Sequence, residues 1–334
     1  MISVLMPTYN GAGTILQTIK SLSNQTFGHF ELIICDDKSS DQTLEIVKSF
    51  DDPRIKVFQN KDNLGYPKNL QRALSFARCE IVFLLAQDDI LFEKALEKTY
   101  LIYSSQPEVY AITRPYFWFE KEMSSPIRLK KRLPEQSDFE DKILNINDKF
   151  KDIVCFLSTL DQLSGLSFRN DKQIATFSEE IFPAHSIPLI KSLRDHKVAF
   201  LSEFNVAVRA ESSQSRSLSS IYDTSPVETW TKVINELFPK DKYYDLNLYI
   251  LNNFCARNFF GLIQIKNYSN KQLIYLIREI KAMIALDFKI IFNPILVAIF
   301  FFLLFSPRSL SRKVTDLFKS KVLSKYITLY KFLD

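Results

Sequence analysis

Glycine is scarce: the chain holds six in 334 residues. None falls in a G-x-G-x-x-G or G-x-x-x-x-G-K-[ST] arrangement. Loops that let backbone amides approach a phosphate in those ways need glycine at fixed places, so kinase, P-loop NTPase and dinucleotide-enzyme readings are poor ones. Cysteine is equally sparse. Cys35, Cys79, Cys155 and Cys255 are scattered with no C-x-x-C pair, which argues against a disulfide scaffold or a zinc module. A signal peptide is not expected either, because Ile2–Met6 is too short, lacks a basic flank and runs straight into Pro7-Thr8-Tyr9-Asn10-Gly11. The expectation is a chain that starts its fold at once and works in the cytoplasm.

What is present is bulk apolar material. A 46% apolar and 13% aromatic content excludes a disordered or low-complexity chain, and the length is ample for one large core or two modest ones. The net charge of +5 is not spread evenly. Seven Lys or Arg against two Asp lie between Ser306 and Asp334, so the C-terminal stretch carries the whole excess and residues 1–305 are formally neutral. A neutral body speaks against nucleic acid as a partner; a basic end points to a local anionic surface.

Along residues 1–105 short apolar runs alternate with amphipathic stretches. Ile2–Met6, Glu31–Cys35, Ile55–Gln59 and Glu80–Leu85 read as buried parallel strands. Ile15–Leu22, Gln42–Phe50, Lys68–Ala77 and Phe92–Tyr103 read as helices, with Ser39 and Asp41 available to cap the second. This rhythm predicts an α/β fold, a doubly wound and mostly parallel sheet flanked by helices, with ligands at the carboxyl ends of its strands. The Pro126–Pro134 stretch, with Lys130, Lys131 and Arg132, reads as a surface excursion. Leu163–Phe168 and Lys197–Val208 read as returning strands around a helix at Ser186–Leu193. Val233–Leu237, Leu246–Phe260 and Lys271–Ile284 read as helical. The expected organisation is one domain over 1–220 in two halves (1–105 and 106–220), a helical region over 221–288, and a membrane-associating tail over 289–334.

That tail begins with Ile290–Phe305, sixteen residues without a charge. As a helix the run is about 24 Å long, short of the roughly 30 Å of bilayer hydrocarbon, and Asn293 and Pro294 weaken a straight span further. Beyond it, Leu310, Val314, Phe318, Val322, Tyr326, Leu329 and Leu333 recur every three or four residues, with basic residues mostly on the other face. This is the pattern of a helix lying in an anionic membrane interface; a buried C-terminal helix is the alternative.

Three polar stretches fall at predicted strand ends: Pro7-Thr8-Tyr9-Asn10-Gly11, Asp36-Asp37-Lys38-Ser39-Ser40-Asp41 and Ala86-Gln87-Asp88-Asp89. Adjacent carboxylates such as Asp88 and Asp89 repel each other unless a cation offsets them, and a divalent metal completed by water and phosphates is the natural candidate. A plain helix cap is the alternative. Taken together, P-T-Y-N-G, then D-D-x-S-x-D, then Asn63-Leu64-Gly65 with Lys68-Asn69, then x-D-D resembles the nucleotide-sugar domain of family 2 glycosyltransferases, the GT-A fold. Gln25-Thr26-Phe27 followed by Phe30-Glu31-Leu32 adds to the likeness, which is strong over 1–105 and weak over 106–215.

The resemblance implies roles residue by residue. Pro7 and Tyr9 line the nucleobase, Asp37 accepts a hydrogen bond from it, and Asp36 supports that loop. Lys68 and Asn69 help to close the nucleotide site. Asp88 meets the ribose or a metal-bound water, and Asp89 the metal, Mn2+ or Mg2+. The fuller D-x-D-D pattern is broken at Ala86. The family's acidic general base is expected near Ala184-His185, where no Asp occurs, leaving His185 as candidate base and Glu180 as runner-up; a structural role for His185 stays open. Arg209, followed by Glu211 and Ser212-Ser213-Gln214-Ser215, resembles a segment that closes over the diphosphate, although a plain surface arginine is equally compatible. The implied activity is inverting transfer of a sugar from a UDP- or dTDP-sugar to a saccharide acceptor, lipid-linked, in surface polysaccharide synthesis. The site would lie on the inner face of the cell membrane. Transfer to polyprenyl phosphate, or a catalytically dead nucleotide-sugar binding protein, are the alternatives.

Overall fold

The computed structural model describes residues 1–120, 126–129, 140–180, 184–210 and 219–318. Lys130, Lys131, Arg132, Pro134, Glu211–Ser215, and the part of the tail from Lys319 onward that holds Val322, Tyr326, Leu329 and Leu333 lie outside the described residues. The chain forms two compact units, Met1–Phe119 with Lys130–Arg209, and Glu120–Leu129 with Ala210–Asp334.

In the first unit the strands are β1 (Ile2–Thr8), β2 (Phe30–Asp36), β3 (Ile55–Gln59), β4 (Ile81–Leu84), β5 (Ile90–Leu91), β6 (Val109–Thr113) and β7 (Phe117–Phe119). After β8 (Pro126–Leu129), which belongs to the second unit, come β9 (Lys142–Leu144), β10 (Ser167–Arg169), β11 (Lys197–Phe200) and β12 (Val206–Arg209). The large sheet runs β3-β2-β1-β4-β10-β6-β11-β9. The first four strands are mutually parallel, and β10 enters antiparallel between β4 and β6. Strands β5, β12 and β7 form a second, smaller sheet. The central strands are buried on both faces, as the unbroken apolar runs of β1, β2 and β4 require.

Helices α1 (Ile15–Ser23), α2 (Thr43–Lys48), α3 (Tyr66–Ser75), α4 (Ala95–Ser105), α5 (Phe150–Ser158) and α6 (Ile187–Asp195) accompany the sheet. In α1 the buried positions are Ile15, Thr18, Ile19 and Leu22, a one-faced spacing of three and four. Asp41 accepts the backbone N–H of Thr43 at 3.1 Å and so caps α2, whereas the Ser39 hydroxyl turns to Asp36 instead.

Several elements differ from the sequence expectation. The stretch from Phe92 is not helical from its start: Ile90-Leu91 pair with Ala207-Val206 as β5, and α4 begins three residues later. Asp88-Asp89 therefore lead into a strand and do not cap a helix. The expected strand Lys197–Val208 is two strands in two different sheets. Both departures come from long-range pairing that local periodicity does not encode.

The second unit carries α7 (Pro226–Leu237), α8 (Lys240–Asn253), α9 (Phe259–Tyr268), α10 (Gln272–Leu286), α11 (Pro294–Phe305) and α12 (Arg308–Phe318). The expected helix Leu246–Phe260 is interrupted by a turn at Cys255–Arg257, after which Asn258 caps α9. The apolar run from Ile290 is broken as well. Phe288–Phe292 is a short 3₁₀ turn, and the Asn293 side chain accepts the N–H groups of Ile295 and Leu296 to start α11. Among the described residues no helix is long and apolar enough to cross a membrane.

Gly165 sets a steric limit on the first unit. Its φ is +90°, and a Cβ there would lie 2.8 Å from Val206 Cγ2 and 2.9 Å from Arg114 Cδ. The Arg114 guanidinium is buried and donates to the Gly165, Ala95, Asn205 and Thr99 oxygens. Gly165→Ala is expected to lower stability by about 2–4 kcal/mol, from backbone strain and overpacking together; chemical denaturation measures it.

Candidate active site

Parallel strands β2, β1 and β4 end on the same edge, so the loops after Thr8, Asp36 and Leu84 converge there. The first two loops are stitched together by side chains. The N–H groups of Asn10, Gly11 and Ala12 donate to Ser39 Oγ, Thr43 Oγ1 and Asp41 Oδ2, at 2.9, 2.7 and 3.0 Å. Asn10 and Lys38 adopt left-handed φ values of +46° and +64° to make the two tight turns. Those amides are consumed internally, so this turn is not a phosphate cradle. Gln87 joins the third loop to the first by accepting from Tyr9 N–H and donating to Tyr9 C=O, at 2.8 and 2.9 Å. A Cβ on Gly11 would meet this amide at 2.6 Å. Pro7 is half-buried beside Cys35, and Tyr9 leaves its side chain at the surface, 45% exposed.

The two acidic pairs differ: Asp36 and Asp37 are both buried and structural, whereas Asp88 is less buried than Asp89. Asp36 is buried and accepts from Ser39 N and Oγ, which fixes the loop. Asp37 is 3% exposed, and its carboxylate takes the Asn60 amide at 2.8 Å and the N–H groups of Leu64 and Gly65 at 2.7 and 2.9 Å. It thus builds the Asn60–Gly65 loop. Asn69 is not turned to the crevice: its buried side chain donates to Cys35 C=O and accepts from Asn60. Lys68, one position earlier on α3, is exposed.

Asp89 is 1% exposed. Its Oδ2 accepts from Gln162 Nε2 at 2.7 Å and Ser164 Oγ at 2.6 Å, and its Oδ1 from the Arg209 N–H at 2.9 Å. Burial, and then the neighbouring Asp88 charge, push its carboxyl well above the usual range, against the pull of these donors. The expectation that Asp89 holds the metal fits this geometry less well than a structural role, because the carboxyl is 1% exposed and takes three bonds from the protein interior. Asp88 is half-buried at the same turn. Arg209, 121 residues away in sequence, is brought to both: its Nε donates to Asp88 C=O at 3.3 Å, Nη2 to Gln17, and its guanidinium lies 4.7 Å from the Phe119 ring centroid.

His185 sits in a 3₁₀ turn, Ala184–Ser186, ahead of α6. Its Nε2 is 2.9 Å from Leu160 C=O, which can only accept, so the proton is placed on Nε2. Nδ1 then accepts from the Tyr66 hydroxyl at 2.9 Å. Burial lowers the imidazole below its ordinary value, with the Leu160 carbonyl and the Asp161 charge opposing it, so the ring is neutral at pH 7. Glu180 is exposed on the preceding loop. Sequence reading missed the segment Leu160–Ser164, which touches His185 through Leu160 and Asp89 through Gln162 and Ser164. Asp161 within it accepts from the Tyr116 hydroxyl at 2.6 Å. The only local signal was an acidic residue just before an expected strand.

Asp89→Ala is expected to cost about 2–4 kcal/mol by stranding three donors. For an acid with a raised folded pKa, stability is full below the unfolded value near 4 and is lost as pH rises toward the folded value. Asp89→Asn should therefore lack that decline and match or exceed the parent at pH 8 in denaturation titrations; a parallel decline in both proteins would contradict the reading.

Residues 3–166 match the model of glycosyl transferase family 2. WfgD of Escherichia coli, a UDP-Glc:alpha-D-GlcNAc-diphosphoundecaprenol beta-1,3-glucosyltransferase, is 38% identical over 97 residues, which are 29% of this chain and 38% of that protein. TarP of Staphylococcus aureus, a poly(ribitol-phosphate) beta-N-acetylglucosaminyltransferase, is 40% identical over 105 residues, 30% of this chain and 32% of its own. These matches thus span about a third of each relative's length. Among solved structures, S. aureus TarS 1-349 in complex with UDP-GlcNAc has the same fold, with a TM-score of 0.61 at 18% identity over 100% of this chain and 93% of that one. The mannosyltransferase PcManGT from Pyrobaculum calidifontis, in complex with GDP-Man and Mn2+, gives 0.51 at 13% identity, over 98% and 87% of the two chains. The fold is of the GT-A type, and residues 3–166, just under half of the chain, carry the glycosyl transferase family 2 match.

Proposed function

We propose that this protein is an inverting glycosyltransferase that moves a sugar from a nucleoside diphosphate donor, a UDP- or dTDP-sugar, to a hydroxyl of a lipid-linked saccharide. The supporting observation is the convergence of Tyr9, Asp37 and Asp88 on one sheet edge, with Arg209 brought beside Asp88 from the far end of the unit. The names of WfgD and of the Campylobacter jejuni GalNAc(5)-diNAcBac-PP-undecaprenol beta-1,3-glucosyltransferase support a lipid-linked acceptor, and surface polysaccharide synthesis is the setting that follows.

In this reading the exposed Tyr9 ring stacks on the nucleobase beside Pro7. Asp37, with Oδ2 engaged once, accepts the base N–H. Lys68 and Arg209 address the diphosphate, Arg209 with a fork of donors. The donor set fits a divalent ion only as a shared site. Asp88 supplies a carboxylate, Ala86 none, Asp89 is committed inward, and the described residues gather no group of three metal-ligating side chains; donor phosphates and water would fill the rest. When bound, Mn2+ or Mg2+ neutralises charge on the departing diphosphate.

The proton of the acceptor hydroxyl goes to His185. Its Nε2–H to Leu160 leaves Nδ1 as the nitrogen with a lone pair, and the imidazole is neutral at working pH. Asp161 favours the imidazolium that forms. The Tyr66 hydroxyl covers Nδ1 before substrate arrives, and either turns aside or relays the proton. The lipid-linked acceptor places the protein at the inner face of the cell membrane, as a peripheral protein on an anionic surface.

Purified protein should release nucleotide from one UDP- or dTDP-sugar with Mn2+, and Asp88→Ala should abolish the release while Asp89→Asn keeps donor binding. Mn2+ alone should bind weakly, and tightly only with the nucleoside diphosphate present, by calorimetry. Loss in Asp89→Asn but not Asp88→Ala would reverse the assignment, and donor binding with no turnover on any acceptor would favour a binding protein without activity. His185→Gln should lower transfer about 100-fold or more at unchanged donor affinity. The acid limb of kcat/KM should lie below pH 6.5 and move lower still in Asp161→Asn, because the charge that raises the imidazole pKa is gone. An unmoved limb would exclude His185 and leave Glu180 as the base.

A further inference from the structure

The second unit holds a cationic cluster that the transfer site does not use. Lys266, near the end of α9, is only 7% exposed. Arg308 and Arg312, on the first turns of α12, reach the same helix end: Arg308 Nη2 donates to Ser269 C=O, and Arg312 donates to Asn267 C=O at 3.1 and 2.6 Å. These two guanidinium groups satisfy the last carbonyls of α9, where a helix end carries partial negative charge. Burial lowers the Lys266 ammonium, and the Arg308 charge lowers it further. No carboxylate among the described residues pairs with any of the three. The Gln272 amide oxygen also accepts from Arg308, at 2.6 and 2.9 Å. Like charges gathered without a carboxylate call for an anion.

The cluster adjoins an apolar stretch in sequence and in packing. From the 3₁₀ turn through α11, Phe288, Phe292, Ile295, Phe301 and Phe305 are 62%, 74%, 70%, 58% and 78% exposed. They lie along the 3₁₀ turn and α11, whose Leu296 and Leu303 are buried against the unit. The stretch ends at Phe305, and Ser306-Pro307-Arg308 follow directly; α9 packs against both α11 and α12. On α12, Leu310, Val314 and Leu317 add exposed apolar positions at spacings of four and three. Five large exposed side chains in one short stretch are unusual for a surface bathed by water. Next to cations they match the division between acyl chains and headgroups at a bilayer interface.

We propose that Lys266, Arg308 and Arg312 form a binding site for the phosphate of an anionic glycerophospholipid headgroup, and that the exposed apolar side chains between Phe288 and Phe305 enter the acyl region beside it. The site deepens the membrane-surface part of the proposed function by giving that contact particular residues. It also revises the sequence expectation. Arg308 and Arg312 do not form a free basic face; they cap α9, and only through that fixed placement do they meet a phosphate.

The full chain is tested by co-sedimentation with phosphatidylcholine vesicles and with vesicles containing about a third phosphatidylglycerol. Binding is expected to the second kind, falling with salt. Lys266→Gln should weaken it by about fivefold. Phe301→Ser with Phe305→Ser should remove it and keep the parental Tm, because these rings are 58% and 78% exposed; Lys266→Gln takes away a buried charge disfavoured by burial and should not lower the Tm. Arg312→Gln endangers the α9 cap, so Arg312→Lys, which keeps the charge and loses the fork, serves in its place and should bind at an intermediate level. Inorganic phosphate at millimolar concentration should neither raise Tm nor compete with vesicles. Equal binding to both vesicle types, unchanged binding in Lys266→Gln, or full competition by inorganic phosphate would overturn the site. Nucleotide release from a soluble donor is measured on the same proteins and is expected to be unchanged, so failure of this site and failure of the transferase reading are told apart.

Discussion

The Asp89 carboxylate, withdrawn from water at the end of β4, is the constraint from which the arrangement of the site follows. An ionisable group so placed is costly unless donors meet it, and those donors come from two stretches far away in sequence: Gln162 and Ser164 ahead of β10, and the Arg209 backbone at the end of β12. Meeting that demand ties the third strand-end loop to the acceptor-side half of the unit. Ser164 also takes the Ala86 N–H, so the loop is held at both ends of its turn. Gly165, the next residue, has the positive φ that lets the segment turn away over Arg114.

The same device recurs on the other side of the crevice. Asp37 is buried and organises Asn60, Leu64 and Gly65, as Asp89 organises its own partners. In each case one carboxylate of a D-D pair is a scaffold for a loop. Asp37 and Asp89 each fix geometry with three bonds and keep one oxygen engaged only once, Oδ2 in Asp37 and Oδ1 in Asp89; Asp88, half-buried, is the less enclosed member of its pair. Asp88 gains from this, since its backbone is held by Arg209 and Gln87 is locked to Tyr9. The two phosphate-facing candidates, Asp88 and Arg209, are therefore placed by groups that do no chemistry themselves.

The second unit applies a different balance. Its apolar surplus is not hidden: α11 buries Leu296 and Leu303 and leaves Phe301 and Phe305 in the open. At twelve residues it is about 18 Å long, too short to span a bilayer. The break at Asn293, whose side chain caps the helix, decides this. A continuous helix through the sixteen uncharged residues would have been longer and differently oriented.

Local sequence determined the parallel half of the fold. The apolar runs of β1, β2, β3 and β4, the one-faced helices between them, and the strand-end positions of Tyr9, Asp37 and Asp88 all follow from period and spacing, since a buried parallel strand and an amphipathic helix leave distinct signatures. The family likeness is carried by those same residues. Tertiary structure decided what depends on distant partners: that Ile90-Leu91 form a strand against β12, that Lys197–Val208 divides between two sheets, that Asp89 and Asn69 turn inward, and that His185 lies between Leu160 and Tyr66. A side chain's residue type states what bonds it can make; which of two adjacent aspartates is buried depends on donors more than seventy residues away, and no local pattern contains them.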